Sequence, residues 1–258
     1  MKLPSLPSRR KLACFCSLSV LVLLTSCSKV LHWSRADQRS YQVDSSAVDS
    51  TTLALVQPYS EVLWSEMNEV IGQCAQPLNR ERPEGTLNNW VADVMRLESE
   101  KFAGTPVDFA ISNYGGIRIN TLPAGPVTLG RIYEIMPFDN LLVIVEIQGS
   151  LVQTFLDHMA SEGGWPVSRE LRFIIADNKA TNITINGVSL DEERSYYVAM
   201  SDYVANGGDH RDYLIDLPGQ TLNYLVRDAL ITHVRNLAAS GQSIVAEKDG
   251  RIKHPGAN

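Results

Sequence analysis

The sequence predicts a single α+β domain of mixed strands and helices, and three observations predict it. Helical and strand-like patterns follow one another without the regular alternation that marks a parallel α/β sheet. A nearly continuous run of β-branched and other apolar residues, Leu141 to Ile147, reads as a strand buried on both faces. From Tyr59 to the end there is no second linker and no internal repeat. A composition of 44% hydrophobic and 20% charged residues is that of a globular chain, so disordered and fibrous classes are set aside.

The N-terminus reads as a targeting segment. Arg9-Arg10-Lys11 precedes an apolar run from Leu12 to Leu24, a charged region followed by a hydrophobic one. A bilayer span needs about twenty apolar residues, so the run reads as a signal peptide over residues 1–26 and not as a permanent helix. It closes on Leu24-Thr25-Ser26-Cys27, which resembles the lipobox of bacterial lipoproteins. Cys27 is therefore the expected lipidation site, an anchor to a membrane of the cell envelope, with Ser28 compatible with outer-membrane sorting. Cys14 and Cys16 fall in the removed segment, which leaves Cys74 without a disulfide partner; it reads as a buried apolar residue. Residues 27–58 comprise the acylated cysteine and a polar, flexible tether spanning roughly 30 Å, unless Tyr41-Gln42-Val43 adds an edge strand. Residues 1–26 hold four cations and no acid, so the remainder is more acidic than the whole chain's −6. Such a chain repels polyanions, which excludes a nucleic-acid polymer as partner but not a small phosphorylated ligand held by a few arginines.

The folded part is expected over residues 59–258. Leu63, Met67, Val70 and Ile71 recur at helical spacing. A second helix follows Glu84-Gly85, with Leu87, Trp90, Val91, Val94 and Met95 on one face and an end before Gly104. Residues 106–112 alternate as a strand and run into the turn signal Asn113-Tyr-Gly-Gly. A short helix over 129–135 is stopped by Pro137, and a helix from Gly149 to Met159 uses Leu151, Phe155 and Met159. Strands are expected at 171–175, 183–185 and 195–200, with Asn186-Gly187 as a hairpin turn. A last helix is marked by Leu222, Leu225, Val226, Ala229, Leu230, Val234 and Leu237.

Three glycine-punctuated loops stand out: Asn113 to Arg118, Pro137 to Asn140, and Ser201 to Asp209. Gly115 and Gly116 allow a backbone to approach a ligand closely, and Arg118 offers a planar donor fork to a carboxylate or phosphate. In the third loop an aromatic ring is joined to Gly207, Gly208 and an aspartate able to accept from sugar hydroxyls. Each loop by itself reads as an ordinary turn, and Phe138 and Tyr203 by themselves read as core.

In order and at these spacings the loops carry more. The segments Glu84-Gly-Thr-Leu-Asn-Asn through Asp93, Asp108 through Arg118, Leu122-Pro-Ala-Gly-Pro-Val-Thr, Tyr133 through Asn140, Ile185-Asn-Gly and Tyr196 through Asp209 resemble the C-terminal domain of the bacterial 5′-nucleotidase / UDP-sugar hydrolase family, over roughly residues 60 to 240. The resemblance implies a substrate-binding domain for a nucleotide or nucleoside. Phe138 and Tyr203 match the two rings that sandwich the base, Asn140 the residue that hydrogen-bonds it, and Asp209 the residue that binds the ribose. Arg118 matches an arginine on the phosphate portion, and Asn113 with the four glycines completes the lining.

Departures from the family pattern are expected to matter. Arg80 and Arg82 lie near the place of further family arginines but without a clean register, and neither is assigned. Tyr114 replaces a small residue and is expected to crowd the loop. Tyr203 stands where the family has Phe, which keeps stacking and adds a hydroxyl. His210-Arg211 replaces Gly-Tyr, and His210 reads as a solvated loop residue. The family's two-metal hydrolytic site lies in a separate N-terminal domain; this chain's five histidines are scattered and fall in none of its patterns. No catalytic residue, metal ligand or cofactor is therefore assigned here, and divalent metals are expected only in a partner. Three readings follow: the substrate-specificity half of a split nucleotide hydrolase with a separately encoded metallophosphatase, a non-catalytic nucleoside-binding lipoprotein, or a degenerate structural domain.

Overall fold

The computed structural model describes residues 49–256. The signal peptide, Cys27 and Tyr41-Val43 lie outside the described residues. The chain divides into two units, Met1–Leu53 and Ala54–Asn258, and every strand among the described residues belongs to the second.

A helix, α1 (Ser50–Met67), covers residues 50–58, which the sequence assigns to the tether; none of its side chains is buried. Val70 and Ile71, read from the sequence as its continuation, instead open strand β1 (Val70–Cys74). That strand pairs antiparallel with β5 (Gly125–Thr128), and β2 (Leu78–Asn79) pairs antiparallel with β4 (Thr121–Leu122). Gly72 permits the arrangement, because a Cβ there would come within 2.5 Å of Val234 Cγ1. Helix α2 (Thr86–Ala103) ends at Gly104, whose φ of 66° suits the left-handed cap. Helix α3 spans Leu129–Ile135, and Thr128 caps it through its side chain. Helices α4 (Gly149–Ser161) and α6 (Val226–Ala239) complete the longer helices, with a single turn, α5 (Asp202–Ala205), between them.

The central sheet has the order β11-β6-β10-β3, from β11 (Gly219–Leu225), β6 (Leu141–Gln148), β10 (Ser195–Ser201) and β3 (Phe109–Ala110). Both its faces are covered, and β6 shows it. Leu142 and Ile144 join one apolar cluster with α2, α3 and α6, while Val143, Val145 and Ile147 join another with α4. The second cluster also takes in β7 (Leu171–Ala176) and β8 (Lys179–Ile185) of an outer sheet. That double burial is why the run 141–147 lacks the alternation of a half-exposed strand. Each buried Val, Leu or Ile contributes about 1.5–3 kcal/mol relative to exposure. The Asn186-Gly187 turn closes β8 onto β9 (Val188–Ser189), with φ of 53° and 77° at the two residues. Cys74 is buried, and burial pushes its thiol pKa up.

Leu222 and Leu225 lie on β11 and not on the last helix. Their three-residue spacing is compatible with a helix, but the open edge of apolar β6 takes them as its ladder partner, with a bulge between Thr221 and Leu225. The C-terminal segment, which shows no pattern in the sequence, forms β12 (Ile252–Lys253), parallel to β7, and is fastened by Arg251. That buried guanidinium donates to Asp249 Oδ1 at 3.0 Å, Asp249 Oδ2 at 3.1 Å, Asp93 Oδ1 at 2.8 Å, Asp93 Oδ2 at 3.3 Å and Val167 O at 2.9 Å.

Two expectations follow from this packing. Arg251→Ala should lower the unfolding free energy by about 1–3 kcal/mol, because it leaves the Val167 carbonyl and the partly exposed Asp93 and Asp249 without this donor; a urea midpoint unchanged at constant slope would refute the clamp. On α6, burial lowers the pKa of His233 below its ordinary 6.5, partly opposed by Glu98 3.8 Å away. The neutral ring therefore contributes stability above pH 6.5 that is lost as pH falls through its lower folded pKa. His233→Gln should flatten the loss of stability that denaturant unfolding measures as pH falls below 6.5.

Candidate functional site

Strand direction brings the three loops together. β3 and β10 run parallel, with Val198 beside Phe109 and Ala199 beside Ala110. β6 runs antiparallel to β10, with Ser201 opposite Leu142. The segments after β3, after β10 and before β6 therefore meet at one end of the central sheet. They are cross-linked pairwise. The Leu141 amide donates to Asp202 Oδ1 at 3.1 Å, joining the second loop to the third. Asn113 Nδ2 donates to Asp209 Oδ2 at 2.8 Å, joining the first to the third. The Arg118 guanidinium lies 5.9 Å from the centre of the Phe138 ring, joining the first to the second.

Phe138 and Tyr203 are exposed, at 40% and 44%, although Phe is among the residues most often buried. Among the described residues neither ring pairs with another aromatic ring. Three clefts of about 440 to 740 Å³ open elsewhere on the surface, and neither ring lines any of them. The site is an open shelf. Arg118 is exposed and donates to Gly115 O at 3.3 Å. Asn140 is half-buried, and its carbonyl accepts from the Val226 amide at 2.9 Å.

The glycines have separate tasks. A Cβ on Gly116 would come within 2.6 Å of Asn113 Oδ1, and one on Gly208 within 2.5 Å of Tyr203 Cε1. These two allow Asn113 to tuck under its loop and the Tyr203 ring to lie against backbone. Gly207 takes a φ of 90°, which favours glycine. Gly115 is exposed, and a Cβ there would meet nothing nearer than Asn113 Nδ2 at 3.9 Å.

Several residues that the sequence leaves unassigned support the shelf. Buried Arg227 donates to Asp139 Oδ1 at 2.7 Å and to Phe138 O at 3.3 Å, bracing the second loop from the first turn of α6. Buried Arg211 donates to Asp209 O and Glu162, tying the third loop to the end of α4. No motif marks either arginine; only the fold places them. Tyr114 packs against the second core cluster, and the guanidinium groups of Arg82 and Arg80 lie 4.1 and 4.9 Å from its ring centre. Two cations thus border the Gly-Gly loop on a residue expected only to crowd it. His210 is exposed. Among the described residues no three His, Cys, Asp or Glu stand together as a metal site requires; the rings and donors of the shelf suit an organic ligand.

The family model described as the 5′-nucleotidase C-terminal domain matches residues 70–215, which include all three loops. A 5′-nucleotidase of Vibrio vulnificus is 27% identical over 180 residues, covering 66% of this chain and 31% of that protein. A cell wall protein of Listeria monocytogenes is 26% identical over 209 residues, covering 74% of this chain and 26% of its own. A 5′-nucleotidase precursor from Thermus thermophilus superposes with a TM-score of 0.68 at 25% identity, covering 81% of this chain and 44% of that one. The chain thus spans about a third or less of these curated relatives and less than half of the solved one. With the model matched over more than half of its residues, the chain belongs to the 5′-nucleotidase C-terminal domain family.

Proposed function

We propose that the shelf binds a nucleoside or nucleotide, and that the chain is the substrate-specificity half of a nucleotide hydrolase whose metallophosphatase is encoded separately. One observation carries this reading: two exposed rings, a carboxylate and an arginine, from three loops far apart in sequence, stand at one end of one sheet. A base on Phe138 and Tyr203 gains about 1–3 kcal/mol per stacking contact, whatever its identity, because every base has a π-face. Asn140 would hydrogen-bond the base edge and Asp209 the ribose. Arg118, with Arg80 and Arg82 at Tyr114, would draw the phosphate to the first loop even though the chain as a whole is acidic.

The proposed division of labour rests on the match to a C-terminal domain family and on the exposure of the shelf's two rings. Binding energy gathered here would orient a phosphate for chemistry performed on another polypeptide. No sequence or structural observation favours capture without hydrolysis over this reading.

Calorimetric titration with adenosine and AMP provides the test. Binding of both is expected, AMP more tightly. Phe138→Ala should weaken both by about 1–3 kcal/mol, and Arg118→Ala should remove the advantage of AMP. Absence of heat with either ligand at millimolar concentration would end the nucleotide reading.

We also infer that Cys27 is acylated and holds the chain at the cell envelope, in keeping with a relative described as a cell wall protein. Among the described residues no helix is long and apolar enough to cross a membrane. Cys27→Ser should move the protein from the membrane to the soluble fraction, and mass spectrometry of the wild type should show diacylglyceryl on the cysteine.

A further inference from the structure

Stacking needs the ring of Tyr203 and gives its hydroxyl no task, yet that hydroxyl makes two hydrogen bonds to Asp209. It donates to Asp209 Oδ1 at 3.0 Å and accepts from the Asp209 amide at 3.2 Å. Asn113 Nδ2 donates to the other carboxylate oxygen at 2.8 Å, and Arg211 holds the Asp209 carbonyl. Every polar group of Asp209 therefore has a partner within the protein. The residue also sits at a φ of 53°, between Gly207 at 90° and His210 at 63°, a backbone that few L-residues other than Asn and Asp adopt readily.

A carboxylate accepts about four hydrogen bonds, two on each oxygen. Tyr203 takes one position on Oδ1 and Asn113 one on Oδ2. One position then remains on each oxygen, and Asp209 is partly exposed, so both are open to a ligand. Two adjacent acceptor positions, fixed in direction by donors from two different loops, match two adjacent hydroxyls.

Resting on the nucleoside reading of the shelf, in which Asp209 takes the ribose, we infer that Tyr203 is a positioning residue acting through Asp209, its hydroxyl setting the carboxylate against the sugar hydroxyls. The same ring that supports the base thereby sets the carboxylate that selects the sugar. With phenylalanine at 203 the stacking surface persists. Oδ1 loses its internal donor, the Asp209 amide loses its acceptor, and the carboxylate is free to turn away from the diol.

The test is calorimetry of the full chain and its Tyr203→Phe variant against adenosine, 2′-deoxyadenosine and 3′-deoxyadenosine. The wild type should prefer adenosine to either deoxynucleoside by about tenfold or more, the scale of a hydrogen bond to a charged group. Tyr203→Phe should weaken adenosine more than either deoxynucleoside and so lose most of the preference for adenosine. In an Asp209→Ala background, Tyr203→Phe should change adenosine affinity no further, because the hydroxyl acts only through that carboxylate. Asn113→Ala should reduce the preference in the same direction, which guards against an idiosyncrasy of one variant. A Tyr203→Phe protein that keeps the wild-type preference overturns the positioning role while leaving the stacking shelf intact. Equal wild-type affinity for all three ligands overturns the diol selection, and failure of the wild type to bind any of them overturns the nucleoside reading itself.

Discussion

The direction of three strands is the constraint on which the rest depends. β10 is hydrogen-bonded on one side to antiparallel β6 and on the other to parallel β3. This mixed pairing places two loops that leave strands beside one that enters. With β3 antiparallel to β10, Asn113 would emerge at the opposite end from Asp209, and the bond between them could not form. The pairing is enforced by burial. A one-residue slip of β6 would exchange Leu142 and Ile144 with Val143, Val145 and Ile147 between two differently shaped apolar layers. Core packing, remote from any ligand, thus fixes the geometry of the shelf.

On that frame the loops are held by polar contacts more than by packing. Arg227 braces the second loop, Arg211 the third, and Asp202 ties the two together. A hydrogen bond contributes about 1 kcal/mol net, so no single contact secures a loop, but several converging on each leave little freedom. The benefit falls on binding. Side chains already ordered in the free protein lose less entropy on meeting a ligand, of order 0.5–1.5 kcal/mol for each one that need not be immobilised. An exposed site can bind a small ligand only if its parts are arranged beforehand.

Most of this is visible in the sequence, and the exceptions have physical reasons. α2, α4 and the buried strand 141–147 are readable because long periodic or β-branched runs report burial directly. Val70, Ile71, Leu222 and Leu225 read as helical, wrongly: their three- and four-residue spacings suit a helix, and only the free edges of β5 and β6 decide otherwise. β12 is invisible because two residues carry no periodicity, and its anchor Arg251 looks in sequence like any surface arginine. The site residues are readable as a family pattern but not as a geometry. Nothing in a linear reading joins Asn113 to Asp209, and the support from Arg211 and Arg227 depends on helices that begin or end elsewhere. Tyr114 shows the limit most plainly: its bulk is legible, but its service as a platform for Arg80 and Arg82 is not.

The openness of the shelf bears on how the family domain can be used. A ligand resting on exposed rings remains solvated on its outer side, so the full contribution of stacking is reached only when something excludes that water. A second protein surface brought over the shelf would strengthen every polar contact beneath it, because charges attract more strongly where water is displaced. On the proposed reading, the site as folded would recognise a base and sugar while committing little free energy, leaving the larger part to be realised upon closure. That is the behaviour required of a specificity element that hands its ligand to chemistry performed elsewhere: selective before closure, and tight only when the reacting phosphate is in place.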